Sequence, residues 1–164
     1  MAKPSLINRV VTQVNKLPES VRSSALTLTI TRAVRFSGTA DVVIESLTET
    51  QSRLHIKNKK KVQNHIGSVH AAAMALVAES ATGFLVGVNL TADKVPVIKA
   101  MNIDFTKRAT GDLTAEAHLT PEQIEAMRTQ EKGDVTVAVT VTDEKGVEPI
   151  ECEMVWAWTP LKRK

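Results

Sequence analysis

The 164 residues suit a single domain of ordinary size, and 43% of them are hydrophobic, which is enough to fill one core and argues against a disordered chain. Lys and Arg total 21 against 18 Asp and Glu, a net charge of +3 that is too mild to point to nucleic acid; with 3% aromatic residues and no tyrosine, stacking platforms for single strands are scarce. One cysteine, Cys152, rules out an internal disulfide and fits a reducing compartment, no Cys/His spacing resembles a metal site, and neither a signal-peptide core in residues 1–17 nor a clean apolar span is present, so a cytoplasmic protein without metal or membrane span is expected.

Leu6, Ile7, Val10, Val11, Val14 and Leu17 recur at three- and four-residue intervals after Pro4 and Ser5, predicting a helix with one buried stripe. Pro18-Glu19-Ser20 breaks and restarts it, Glu19 being favourable at the positive end of a helix dipole. The continuation, Val21 to Val34, fits two patterns. Thr27 to Thr31 alternates like a strand, while Val21, Ala25, Leu28 and Arg32 are spaced like a helix, and the lack of an internal turn residue favours the helix. Residues 42–47 and 53–57 are β-rich and joined by polar Thr48 to Ser52, a hairpin pattern. Lys57-Asn58-Lys59-Lys60-Lys61 reads as a solvated loop, with a phosphate-binding patch as the alternative.

The chain is organised around the next stretch. Asn64-His65-Ile66-Gly67-Ser68-Val69-His70 leads into Ala71 to Phe84, so rich in alanine and aliphatic residues that a helix here must be buried nearly all round, yet Glu79 lies inside it. A carboxylate in apolar surroundings is costly unless partnered, and burial raises its pKa toward the range of a general base.

Four strand patterns follow. Val97, Met101, Ile103 and Phe105 fall on one face with Lys99 among them; Leu113, Ala115, Ala117 and Leu119 alternate with polar residues; so do Val135 to Val141 and Ile150 to Trp158, with Lys145-Gly146 in the turn region between the last two. Thr120 caps a short helix that opens at Pro121 and runs through Met127. Lys162-Arg163-Lys164 reads as a frayed basic terminus. A long helix against four strands able to pair as an antiparallel meander gives an α+β two-layer architecture, without repeats or an interdomain linker, hence one domain.

The residues from Asn64 to Glu79 resemble the hotdog-fold thioesterases, in which an antiparallel sheet wraps a central helix. The resemblance is to the phenylacetyl-CoA thioesterase-like group, which carries an asparagine, a glycine-containing turn, His-Gly-Gly at the helix start and an acidic residue further along. Asn64, Gly67, His70 and Glu79 match that order and spacing; Ala71-Ala72 replaces Gly-Gly and Glu79 the commoner aspartate, which places the chain nearest a branch classed as a domain of unknown function. The stretch from Ile103 to Ala117 is similar to the following strand and turn, where basic residues approach coenzyme A phosphates, here Lys107 and Arg108. The resemblance covers about residues 40–160 and leaves 1–38 as a helical extension. It implies an acyl-CoA substrate, no cofactor beyond the coenzyme A of that substrate, and a homodimer or dimer of dimers.

Thioester hydrolysis needs an activated water and donors aimed at the developing oxyanion. A helix start offers free N–H groups, so Ser68, Val69, His70 and Ala71 are candidates, with His65 beside the substrate, Asn64 fixing water or carbonyl, and Glu79 as the base. Glu79 lies nine residues beyond His70, about 13 Å along the helix at 1.5 Å per residue, too far to serve its own helix start. A two-fold partner removes the difficulty. Each assignment has a plainer rival. Glu79 can be a structural carboxylate bonded to Ser80, His70 a cap or packing residue, Asn64 an N-cap, His65 merely exposed, Lys107 and Arg108 loop charges, and Trp156 and Trp158 sheet packing. Three other functions compete. A hotdog hydratase or dehydratase is disfavoured by the absence of a His followed by prolines; a non-catalytic acyl-binding module is favoured by Ala71-Ala72; a nucleic-acid role rests on residues 57–61 alone.

Overall fold

The computed structural model describes residues 3–161, so the basic tail Lys162-Arg163-Lys164 lies outside the described residues. Helix α1 (Leu6–Val14) is capped by Ser5, whose hydroxyl accepts from the Asn8 N–H, and it buries Val11 and Val14. Helix α2 (Glu19–Ala33) follows with Pro18 at its N-cap and buries Leu26 and Ile30. Here the helical spacing wins over the alternation of Thr27 to Thr31, whose hydroxyls bond backbone or strand rather than lie across a sheet. Val34 separates α2 from α3 (Arg35–Thr39), a five-residue helix with no periodic signal.

Strands β1 (Val43–Leu47) and β2 (Gln51–Ile56) form the expected hairpin, and a 3₁₀ turn over Lys60–Val62 leads to helix α4 (Ala71–Asn89). After α4 come β3 (Lys94–Phe105), β4 (Leu113–His118), α5 (Pro121–Thr129), β5 (Gly133–Asp143) and β6 (Ile150–Pro160). Thr120 and Gln123 close a reciprocal capping box on α5.

All six strands form one antiparallel sheet in the order β1-β2-β4-β5-β6-β3. The last four strands therefore do not run as one meander. β4, β5 and β6 do, but β3 pairs with β6 at the far edge, and the loop after Phe105 carries the chain across the end of the sheet to β4. A register shift between Ile98 and Ala100 also breaks the single face expected for β3. Val97 lies opposite Ala157 on the outer face, while Met101, Ile103 and Phe105 lie opposite Met154, Cys152 and Ile150 on the face turned to α4.

The core is the inner face of this sheet packed on α4, with Leu54, Ile56, Leu113, Ala115, Val137, Met154 and Trp158 against Val77, Ala81 and Leu85. Trp156 and Trp158 are core residues: Trp156 donates to the Thr82 hydroxyl at 2.8 Å and Trp158 to the Gln130 carbonyl at 3.1 Å. Trp156 comes so close to α4 that a Cβ at Gly83 would meet its ring at 2.5 Å, so only glycine fits there. Although α4 is long and apolar enough to cross a membrane, 67% of its apolar window is buried inside the fold. It is not covered all round, however. Ala71 and Ala72 are exposed, and Ala75, Leu76, Glu79 and Gly83 are half-buried along the same side.

Candidate functional site

The lead-in to α4 is a tight turn held by Asn64. Its Oδ1 accepts from the N–H groups of Ile66 and Ser68, both at 3.1 Å, while its backbone N–H donates to the Ser68 carbonyl at 2.8 Å. Asn64 is therefore not the helix N-cap. That place belongs to His70, whose Nδ1 accepts from the Ala72 N–H at 3.0 Å. Gly67 turns the chain at φ +79°, and an added Cβ would meet nothing within 4 Å, so the glycine is needed for its backbone angle rather than for space.

These bonds narrow the expected oxyanion donors. The Ser68 N–H is spent on Asn64, that of His70 on the Val62 carbonyl at 2.8 Å, and that of Ala72 on the His70 ring. Among the described residues, Val69 and Ala71 keep N–H groups without a partner in the window from Ser68 to Ala72, and Ala71 is the exposed one of the two. His65 and His70 are exposed, Ser68 and Val69 buried.

Glu79 is half-buried on the uncovered side of α4, and its side chain has one partner, the Ser80 hydroxyl donating at 3.3 Å. Burial pushes its pKa above the ordinary 4.5, and the Ser80 bond offsets only part of that. No cation pairs with it among the described residues. Nine residues of helix still separate it from His70, so within one protomer the structure does not bring Glu79 to the helix start.

Lys107 and Arg108 are exposed in the loop after β3, whose backbone is tied to the Pro149 carbonyl and, through the Thr110 N–H, to the Asp143 carboxylate. Within the lysine run, Lys59 and Lys61 are held by Asp41, the latter at 2.7 Å. That pairing makes half of the expected charge patch structural. Lys57 and Lys60 have no carboxylate partner among the described residues.

A second network was not legible in the sequence. Asp112 accepts from the Asn58 N–H at 2.7 Å and lies 3.1 Å from His55 Nε2, while the Asn58 side-chain amide donates to the Gly67 carbonyl at 3.1 Å. Residues from β2, the lysine run and the loop before β4 thus brace the Gly67 turn from behind. The pairing of β2 with β4 creates that contact, and no local periodicity marks it. Among the described residues, no group of three or more His, Cys, Asp or Glu side chains could hold a metal ion. Two hollows, of about 550 Å³ at the C-terminal end of α4 and about 580 Å³ between α2 and β1, lie away from the helix start and from Glu79; the second is lined by Lys59 and its partner Asp41.

A six-stranded antiparallel sheet wrapped on one long helix, with a glycine turn at the helix start and a carboxylate further along it, is the hotdog fold of the thioesterase-like superfamily. Within that superfamily the chain belongs to the family of the domain of unknown function DUF4442, which matches residues 22–158. Its match begins inside α2, eighteen residues before the expected start of the resemblance at about residue 40. Among solved structures the chain is similar to a Pseudomonas aeruginosa protein of unknown function described as a probable thioesterase, with 27% identity over 88% of this chain and 97% of that one and a TM-score of 0.74. It also shares the fold of a Staphylococcus aureus thioesterase (16% identity, 77% and 99% covered, TM-score 0.64) and of a Haemophilus influenzae thioesterase (12%, 84% and 92%, TM-score 0.66). No curated protein matches the sequence significantly.

Proposed function

We propose that the protein hydrolyses acyl-CoA thioesters to the free acid and coenzyme A, and that it does so as a two-fold dimer. The observation that carries this reading is Glu79: a carboxylate with no cation beside it and a raised pKa, on the one side of α4 that the protomer leaves uncovered. A second protomer against that side would bring Glu79 toward the other chain's helix start and remove the 13 Å problem, about 13 Å being the rise of nine helical residues. Strand β3 supports the same arrangement, since among the described residues it pairs only with β6 and it leaves Val97, Met101 and Phe105 exposed.

In the mechanism, the Ala71 N–H at the positive end of α4 polarises the thioester carbonyl and holds the oxyanion. Glu79 of the other protomer takes a proton from water as it attacks, and the tetrahedral intermediate collapses with departure of the coenzyme A thiolate. Asn64, with its oxygen spent on the turn, has only its Nδ2 amide left to hold water or substrate. Lys57, Lys60, Lys107 and Arg108 supply the cations for the phosphates.

The test is release of free thiol from short, medium, long and aromatic acyl-CoAs by wild type and Glu79→Gln. The variant is expected to fold and to turn over about a hundredfold more slowly or worse, as loss of a general base commonly costs. Wild-type turnover in the folded variant removes Glu79 from the mechanism. Absence of thiol release from every substrate, even at high wild-type concentration, moves the reading to an acyl-binding module.

A further inference from the structure

The turn that delivers the chain to α4 is tied mostly to itself. The N–H groups of Ile66, Gly67 and Ser68 all go to Asn64, the Asn64 N–H goes to Ser68, and the His70 N–H goes to Val62. Among the described residues, one hydrogen bond joins the turn to anything beyond its own lead-in and α4: the Asn58 side-chain amide donates to the Gly67 carbonyl at 3.1 Å. Asn58 is itself set by Asp112, whose Oδ1 accepts from the Asn58 N–H at 2.7 Å and whose Oδ2 lies 3.1 Å from His55 Nε2. His55 belongs to β2, and its Nδ1 lies 3.2 Å from the hydroxyl of Thr114 on β4, so the contacts begin on two paired strands and end at Gly67. We infer that Asn58 and Asp112 are positioning residues, which register the Gly67 turn on the sheet and so place the Ala71 N–H, and that their loss slows the chemical step rather than weakening substrate binding. This rests on the thioester reading of the helix start.

Two further observations support it. A Cβ added at Gly67 would meet nothing within 4 Å, so side-chain packing does not hold that point of the turn and the Asn58 bond is what registers it. The Asn58 Oδ1 is buried with no partner, so the side chain has one bond to make, and reversing the amide would set oxygen against the Gly67 carbonyl. The consequence for rate follows from geometry. A donor serves an oxyanion only within about 2.7–3.1 Å of it, and a misplacement of about 1 Å can cost about a hundredfold. A brace that served the fold alone would lower stability when cut and leave the rate of the folded protein unchanged.

The experiment measures kcat and KM separately, with the acyl-CoA that wild type cleaves fastest, in Asn58→Ala, Asp112→Ala, Asp112→Asn and the double variant Asn58→Ala/Asp112→Ala. Asn58→Ala is expected to lower kcat about tenfold or more with KM within about twofold, the pattern of an interaction felt in the transition state. Asp112→Asn keeps an oxygen for the Asn58 N–H and is expected to recover most of what Asp112→Ala loses. Because Asp112 acts through Asn58, the double variant should be no slower than Asn58→Ala alone. An unchanged kcat in folded Asn58→Ala, a loss confined to KM, or losses that multiply in the double variant overturn the assignment. Calorimetry separates it from the hydrolytic reading with two uncleavable ligands: 2-oxoheptyl-CoA, whose carbonyl can accept from the Ala71 N–H, and heptyl-CoA, which has no carbonyl. If wild type cleaves nothing but Asn58→Ala weakens 2-oxoheptyl-CoA at least fivefold and spares heptyl-CoA, the positioning role stands and the hydrolase reading falls. Equal weakening of both ligands, no weakening of either, or no binding of either to wild type removes the positioning role.

Discussion

Two carboxylates show how local surroundings set opposite pH behaviour. Burial would raise Asp143, but three backbone N–H groups, those of Val147, Thr110 and Lys145, donate to it at 2.9 Å and hold it below its ordinary 3.8. Its ionised form stabilises the fold, fully above 3.8, and that contribution is lost as pH falls through the lowered folded-state value. Glu79 runs the other way. Its folded-state pKa is raised, so ionising it costs stability above that value, and the cost disappears below 4.5, where the unfolded chain is protonated as well. Glu79→Gln is therefore expected to be more stable than wild type at neutral pH and equal to it below pH 4.5, with the gap opening as pH rises through the folded-state pKa. Denaturant unfolding of both proteins across that range checks it, and a gap independent of pH would show that the carboxylate carries no ionisation cost.

At the scale of elements, the two edges of the sheet are treated differently. On the β1 edge, the Ile44 N–H donates to the Thr27 hydroxyl and the Ile44 carbonyl accepts from the Ser23 hydroxyl, both at 2.9 Å, so α2 closes that edge with side chains. Among the described residues the β3 edge has no such cover. Thr27→Val keeps the shape and removes the acceptor, leaving the Ile44 N–H without its partner, and is expected to cost about 1–3 kcal/mol in denaturant unfolding. A loss near zero would mean that water replaces the hydroxyl. Thr27 also shows where sequence reading reaches its limit. Its run alternates like a strand, and only the contact with β1 explains why a helix places hydroxyls there. Elements with strong local pattern were legible: α1 from its three- and four-residue spacing, α5 from Thr120 and Pro121, β5 and β6 from strict alternation. The pairing of β3 with β6, the bulge at Lys99 and the short α3 were not, because each depends on residues distant in the chain. In the candidate site the same division holds. The turn, the helix start and the isolated acid were visible as motifs, while the brace from Asp112 through Asn58 to Gly67 required the fold.

For the molecule as a whole, the N-terminal helices are part of how α4 is held. Ser5 and Asn8 of the α1 region donate to the Gly87 and Val88 carbonyls at 2.8 and 2.9 Å and so close the C-terminal end of α4, α2 covers the β1 edge, and α3 flanks the first turns of α4. With one end of α4 closed and one edge of the sheet covered, what stays open is the N-terminal half of α4 together with the inner face of β3, the surface that carries Glu79. If catalysis draws Glu79 from one chain and the helix start from the other, two inactive proteins can restore each other. Glu79→Gln and Gly67→Val each damage one half of every site, the second by forcing a β-branched residue to φ +79°. Mixed, dissociated and reassociated in equal amounts, half of the dimers become hybrids with one intact site, so about a quarter of wild-type activity returns when pairing is random. Sites contained within one chain return nothing on mixing. The measurement is thiol release before and after reassociation, with dimer formation followed by light scattering, so that failure to exchange subunits is not taken for failure to share a site.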